Sequence, residues 1–216
     1  MLKTLKEKVD PKHAALLVVD VQNDVCHSDG LIAQRGGDVS AVQRMVPRLL
    51  RFILQARKAK VPIIFIRHSA NQGTMSQVRL EILTKHNMPV DRFGEQEGTW
   101  GAEFYRVKPQ PGDSVVTKHR YNAFIDSDLD LVLRSQGIKT VIMTGVSRNC
   151  CVAYTAIDAS MRDYYVVFAR DGTASFKPAR TSVRNHRIDD DTTLRTIEAR
   201  FGSVVNYREV VEAWQR

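Results

Sequence analysis

The apolar residues of this chain come in short bursts, each followed by a polar stretch or by helical spacing. Ala14-Ala15-Leu16-Leu17-Val18-Val19 does not alternate, the pattern of a strand covered on both faces, and it ends on Asp20. Val61-Pro62-Ile63-Ile64-Phe65-Ile66 predicts a second strand with Arg67-His68 at its carboxyl end. Ser114-Val115-Val116-Thr117-Lys118 predicts a third, Ile138 to Met143 a fourth, Tyr164 to Ala169 a fifth, and Ser203-Val204-Val205 a short edge strand. Between them, Val39 to Ala59 predicts an amphipathic helix that Pro47 either kinks or restarts. Ser127 to Ser135 predicts a helix capped by Asp126 or Ser127 and stopped by Gly137. Cys151 to Arg162, Asp189 to Arg200 and Tyr207 to Trp214 complete the helices. Val25 to Asp38 reads as a glycine-rich loop, and Ser69 to Gly112 as loops and short helices that roof a site. Strands alternate with helices throughout. The expected fold is therefore α/β: one domain over residues 1–216, with its core at 11–214, in three α/β/α layers around a mainly parallel, Rossmann-like sheet.

The fourth strand leads straight into Thr144-Gly145-Val146-Ser147-Arg148-Asn149-Cys150-Cys151-Val152. This reads as a strand, a tight glycine turn, and a helix whose first turn holds two cysteines. Free N–H groups and the positive dipole end gather at a helix N-terminus. A thiol there ionises more readily, and the same N–H groups can receive an oxyanion. Two small apolar cysteines in a core helix are the competing reading. Ligands of open parallel sheets bind beyond the carboxyl ends of the strands. Asp20, Lys118 and the turn before Cys151 all stand at such ends, so the three can meet on one edge. Taken alone, Asp20 reads equally as a cap or turn acid. Together they form a chemical set. Asp20 accepts the proton of Cys151, and the Lys118 cation stabilises the thiolate.

Composition narrows the function classes. The chain has 216 residues with Lys+Arg 32 against Asp+Glu 24, a formal net charge of +8. The basic residues are scattered among acids without an aromatic–basic module, so a solvated basic surface is expected rather than a nucleic-acid partner. No apolar run is long enough for a membrane span. The first residues show no signal-peptide core, and three cysteines make no disulfide framework, so a reducing cytoplasm is expected. His13, His27, His86, His119 and His186 are scattered without metal spacing.

Leu16 to Asp24, the strand-end Lys118, and Thr144-Gly145-Val146 through Asn149-Cys150-Cys151-Val152 resemble the isochorismatase-like cysteine hydrolases, in order and over nearly the whole chain. The resemblance implies a triad of Asp20, Lys118 and Cys151 that cleaves a C–N bond in an amide or ureide. It also implies a cis peptide between Val146 and Ser147 and an oxyanion hole of the Ser147 and Cys151 N–H groups. Asp10-Pro11-Lys12, Gly98-Thr99-Trp100-Gly101 and Lys118-His119-Arg120-Tyr121 are similar to the ureidoacrylate, biuret and triuret hydrolase branch. By that resemblance His68, Tyr121 and Asn23 contact a small-molecule substrate. Arg148 replaces the usual threonine and contacts either substrate or a subunit interface. Nicotinamidase-like amidases carry a metal-binding Asp-x-His after the second strand. Arg67-His68-Ser69-Ala70 lacks it, so neither metal nor cofactor is expected. A homodimer or homotetramer is implied. A vinyl-ether hydrolase using Asp20 as acid, a nicotinamidase-like amidase and a catalytically silent relative remain alternatives.

Overall fold

The computed structural model describes residues 1–85, 94–177 and 190–215; His86, His186 and Asp189 lie outside them. A one-turn helix, α1 (Leu5–Lys8), precedes β1 (Ala14–Val19). Two further single turns follow, α2 (Asn23–Cys26) and α3 (Leu31–Gln34), and then the long α4 (Ser40–Lys58) leads to β2 (Ile63–His68). Next come α5 (Gln77–Lys85), a 3₁₀ turn at Trp100–Ala102, β3 (Ser114–Lys118), α6 (Leu129–Ser135) and β4 (Thr140–Val146). A single π-helical turn, Arg148–Val152, opens α7 (Ala153–Met161). The chain continues with β5 (Tyr165–Ala174), α8 (Asp190–Arg200), β6 (Ser203–Val205) and α9 (Tyr207–Gln215).

The six strands form one sheet in the order β3-β2-β1-β4-β5-β6, every pairing parallel. β1 is buried along its whole length because both its faces are covered. Leu16 and Val18 pack with Val46, Leu49 and Phe52 of α4 and Val210 of α9. Leu17 and Val19 pack with Leu133 of α6, Ala156 and Ala159 of α7, and Ile197 of α8. This is the expected three-layer arrangement. Among the described residues, no helix is long and apolar enough to cross a membrane.

Several expected boundaries move. Val25 to Asp38 is not bare loop: it holds the end of the single-turn helix α2 and all of α3, with Gly30 at the start of α3 and Gly36 and Gly37 beyond its end. α4 runs unbroken through Pro47, which lies on its exposed face, where water can reach the Gln43 carbonyl that proline leaves without a donor. β2 begins after Pro62 and takes in Arg67 and His68. β5 runs on past Ala169 to Ala174, pairing Thr173 with Gly145 after an irregularity in which β5 carries the extra residues between Phe168 and Thr173. For α6 the cap position is Asp128, while the Ser127 hydroxyl accepts the Leu129 N–H at 3.2 Å.

The largest shift is at β4, which passes through the supposed glycine turn to Val146. Gly145 has φ +111°, and a Cβ there would lie 2.1 Å from the Val19 carbonyl oxygen. The residue is glycine because β1 and β4 close up here, with Gly145 in register with Val19. Replacing Gly145 with alanine should therefore cost more than an ordinary surface change, about 3 kcal/mol or more. The urea unfolding midpoint reads that loss.

Candidate active site

The chain leaves β1 toward β2 and β3 on one side and reaches β4 on the other, so the strand order reverses beside β1. The crevice outside the carboxyl ends of β1 and β4 is where such sheets hold ligands. Asp20 stands directly after β1 in a left-handed conformation, φ 50°. Its N–H donates to the Ile66 carbonyl at 2.9 Å, which keeps it in line with the sheet. Lys118 ends β3, two strands away, and its long side chain spans the difference. Its Nζ lies 2.7 Å from Asp20 Oδ2, 2.9 Å from the Arg120 carbonyl oxygen and 3.5 Å from Cys151 Sγ. Those three partners match the three N–H groups of an ammonium. The Lys118 side chain is 0% exposed. Burial acts to lower its pKa, but the Asp20 carboxylate and then Cys151 outweigh it, and Lys118 is held cationic with its pKa raised. Asp20 Oδ1 is buried without a hydrogen-bond partner, leaving one carboxylate acceptor open.

Cys151 comes from the other side of the crevice. The Val146–Ser147 peptide is cis, as the family resemblance implied. The Ser147 carbonyl then accepts the N–H groups of Cys150 and Val152 at 3.0 and 3.1 Å, closing the wide turn that presents both thiols. Thr155 donates to the Cys151 carbonyl at 2.7 Å and accepts the Ala123 N–H at 3.0 Å, tying this turn to the loop after β3. The hydrogen bond from Cys151 to Cys150 pulls the Cys150 thiol below the ordinary range. That bond and burial push the Cys151 thiol up, and Lys118 opposes the rise.

The remaining expected contacts are distributed differently. His68 is buried beside the site, in register with Lys118. Its backbone is clasped by the Gln22 side chain, which accepts the His68 N–H at 2.8 Å and donates to its carbonyl at 2.9 Å. Asn23 is also buried, and its amide donates to the Trp100 carbonyl at 2.8 Å, anchoring the roof. Tyr121 lies at the mouth, 42% exposed, with the Arg79 guanidinium 4.6 Å over its ring. Arg148 turns toward β5. Its guanidinium donates to Thr173 Oγ1 at 2.9 Å and to the carbonyls of Arg170 and Thr173 at 2.6 Å, so these contacts brace the β4–β5 ends. Sequence reasoning missed Glu95. Its Oε2 sits 3.4 Å from His68 Nδ1, an ion-pair contact without hydrogen-bond alignment. No local pattern marks Glu95, because only the folding of the roof over β2 brings it there. Among the described residues, no group of three or more His, Cys, Asp or Glu is placed to hold a metal ion.

Comparison with known proteins bears on this arrangement. Residues 14–204 match the family described as the Isochorismatase domain. The chain belongs to the isochorismatase family. A ureidoacrylate amidohydrolase of Enterobacter sp. (strain 638) is 32% identical over 219 residues, covering 94% of this chain and 90% of that relative. That of Variovorax paradoxus (strain S110) is 32% identical over 171 residues, 74% of this chain and 68% of its own. Among solved structures, a cysteine hydrolase from Pseudomonas syringae pv. phaseolicola 1448A superposes with a TM-score of 0.79 at 24% identity, covering 96% of this chain and 95% of that one. An N-carbamoylsarcosine amidase from Thermoplasma acidophilum gives 0.69 at 25% identity, covering 90% and 96%. The family's α/β/α sheet is thus the frame on which this chain sets Asp20, Lys118 and Cys151.

Two stability effects follow. Lys118→Met leaves the Asp20 carboxylate buried without its cation, and the loss should be about 3–5 kcal/mol by urea denaturation at neutral pH. Glu95 gives a pH signature. Burial raises its pKa, but His68, Lys118 and Arg79 outweigh this and hold it below the ordinary 4.5. A depressed carboxylate stabilises the fold above its unfolded pKa, and that contribution fades as pH falls through the folded value. Glu95→Gln should therefore lose less stability than the parent between neutral pH and about pH 3.5.

Proposed function

We propose that this isochorismatase-family chain is a cysteine amidohydrolase that cleaves a C–N bond of a small amide or ureide. The observation that carries the reading is a single buried ammonium touching both a carboxylate and a thiol at the switch crevice. The names of the relatives, ureidoacrylate amidohydrolase and N-carbamoylsarcosine amidase, agree with it.

The open oxygen of Asp20 accepts the Cys151 proton, and Lys118, already charged, steadies the thiolate that forms. The sulfur attacks the substrate carbonyl, forming a C–S bond. Negative charge on the former carbonyl oxygen is received by the Ser147 and Cys151 N–H groups. As the tetrahedral adduct collapses, the C–N bond breaks and Asp20 returns its proton to the leaving nitrogen. Water, deprotonated by Asp20, then adds to the thioester. The C–S bond breaks, the acid or carbamate leaves, and the thiol is restored. A carbamate released this way decomposes to carbon dioxide and ammonia.

An ammonia-release screen over biuret, triuret, ureidoacrylate, N-carbamoyl amino acids and nicotinamide, with and without chelator, defines the substrate. Cys151→Ser should lower turnover at least about a thousandfold, as loss of a covalent nucleophile does, while Cys150→Ser should stay active. Full turnover by a Cys151→Ala variant would overturn the thioester route and favour direct acid catalysis by Asp20. Cys150→Ala also removes the hydrogen bond that raises Cys151. Alkylation of Cys151 by iodoacetamide, followed by mass spectrometry, should then set in at lower pH than in the parent.

A further inference from the structure

The roof over β2 carries a second acid that the proposed chemistry does not use. Glu95 is fixed by its backbone: its N–H donates to Asp24 Oδ2 at 2.7 Å, and its carbonyl accepts the Ala70 N–H at 3.1 Å. Its side chain is only 14% exposed. The carboxylate lies against His68, which is in register with Lys118 at the sheet edge. Burial first, and then the charges of Glu95 and Asp20, push the buried Cys26 thiol up.

Asp20 touches the buried Lys118 ammonium directly, and Glu95 lies against His68, which is paired in register with Lys118. All three Lys118 N–H groups are taken, by Asp20, Cys151 and the Arg120 carbonyl. An incoming carboxylate would find no free donor on Lys118 and two like charges beside it. An incoming N–H would find the unpartnered Asp20 Oδ1 and the Glu95 carboxylate as acceptors. Arg79, the other cation nearby, is stacked over Tyr121 at the mouth, where that ring is 42% exposed.

Resting on the amidohydrolase reading, we propose that Glu95, held by His68, is a specificity-determining residue that selects an uncharged substrate rich in N–H groups over one carrying a carboxylate. Glu95 accepts the substrate N–H farthest from the scissile carbonyl, and its charge repels acids that share the same ureido end.

Biuret and N-carbamoylglycine are suitable probes, since both present a ureido carbonyl and only the second is an anion at neutral pH. The parent protein should favour biuret in kcat/KM by about a hundredfold, the scale of one misplaced charge. Glu95→Gln should lower kcat/KM for biuret about tenfold or more, mainly through KM, and raise it for N-carbamoylglycine, so the ratio collapses. Glu95→Asp keeps the charge and should keep the preference. Preference of the parent for N-carbamoylglycine, or a parallel fall on both substrates in Glu95→Gln, would overturn the proposal; the parallel fall is what a purely structural role predicts. Calorimetric binding of the two probes to Cys151→Ser reads the same preference without turnover. Tighter binding of biuret there supports the proposal even if Glu95→Gln fails to fold, and tighter binding of N-carbamoylglycine overturns it. A parent that binds biuret but hydrolyses neither probe would instead count against the amidohydrolase reading.

Discussion

One ammonium, taken wholly out of water, touches a carboxylate and a sulfur from different strands. Lys118 has no exposed side-chain surface, so its charge persists only because Asp20 is 2.7 Å away. Removing a charge from water costs several kcal/mol, and an unpaired one would neutralise instead. The pair therefore requires each other, and through them β3 must lie two strands from β1 with its carboxyl end level with Asp20. The sheet order and register meet that condition.

The turn before Cys151 answers a steric constraint of the same kind. β4 must approach β1 closely enough that only a hydrogen fits at Gly145. Beyond it the chain turns through Ser147 and presents two thiols where an ordinary helix start would present one turn of amides. Arg148 secures this turn to the lengthened end of β5. Bracing the turn from behind leaves Cys151 beside Lys118, which in turn holds Asp20.

The roof shows how specificity can be built separately from reactivity. Asn23, Gln22 and Asp24 follow β1 directly, and their side chains hold the segments at His68, Ala102, Trp100 and Glu95 through backbone groups. The reactive edge and the roof are thus tied by the same short stretch of chain. On the selectivity proposed for Glu95, a change in the roof would alter what the site accepts without moving the sulfur.

The amino-acid order alone determined the elements whose causes are local. Continuous β-branched runs can only be buried strands, and glycine or polar breaks end them, so β1, β3 and the α/β alternation were legible. Asp20, Lys118 and Cys151 were legible as strand-end residues, because a parallel sheet gathers such ends on one edge. Boundaries that depend on a neighbour were not. β4 and β5 extend because each supplies the other's hydrogen bonds, and α4 passes Pro47 because its outer face is wet. The roles of Arg148, Asn23 and Glu95 depend on what lies across space from them. Tertiary structure decided these, since a hydrogen bond or a like charge acts over a few ångströms whatever the distance along the chain.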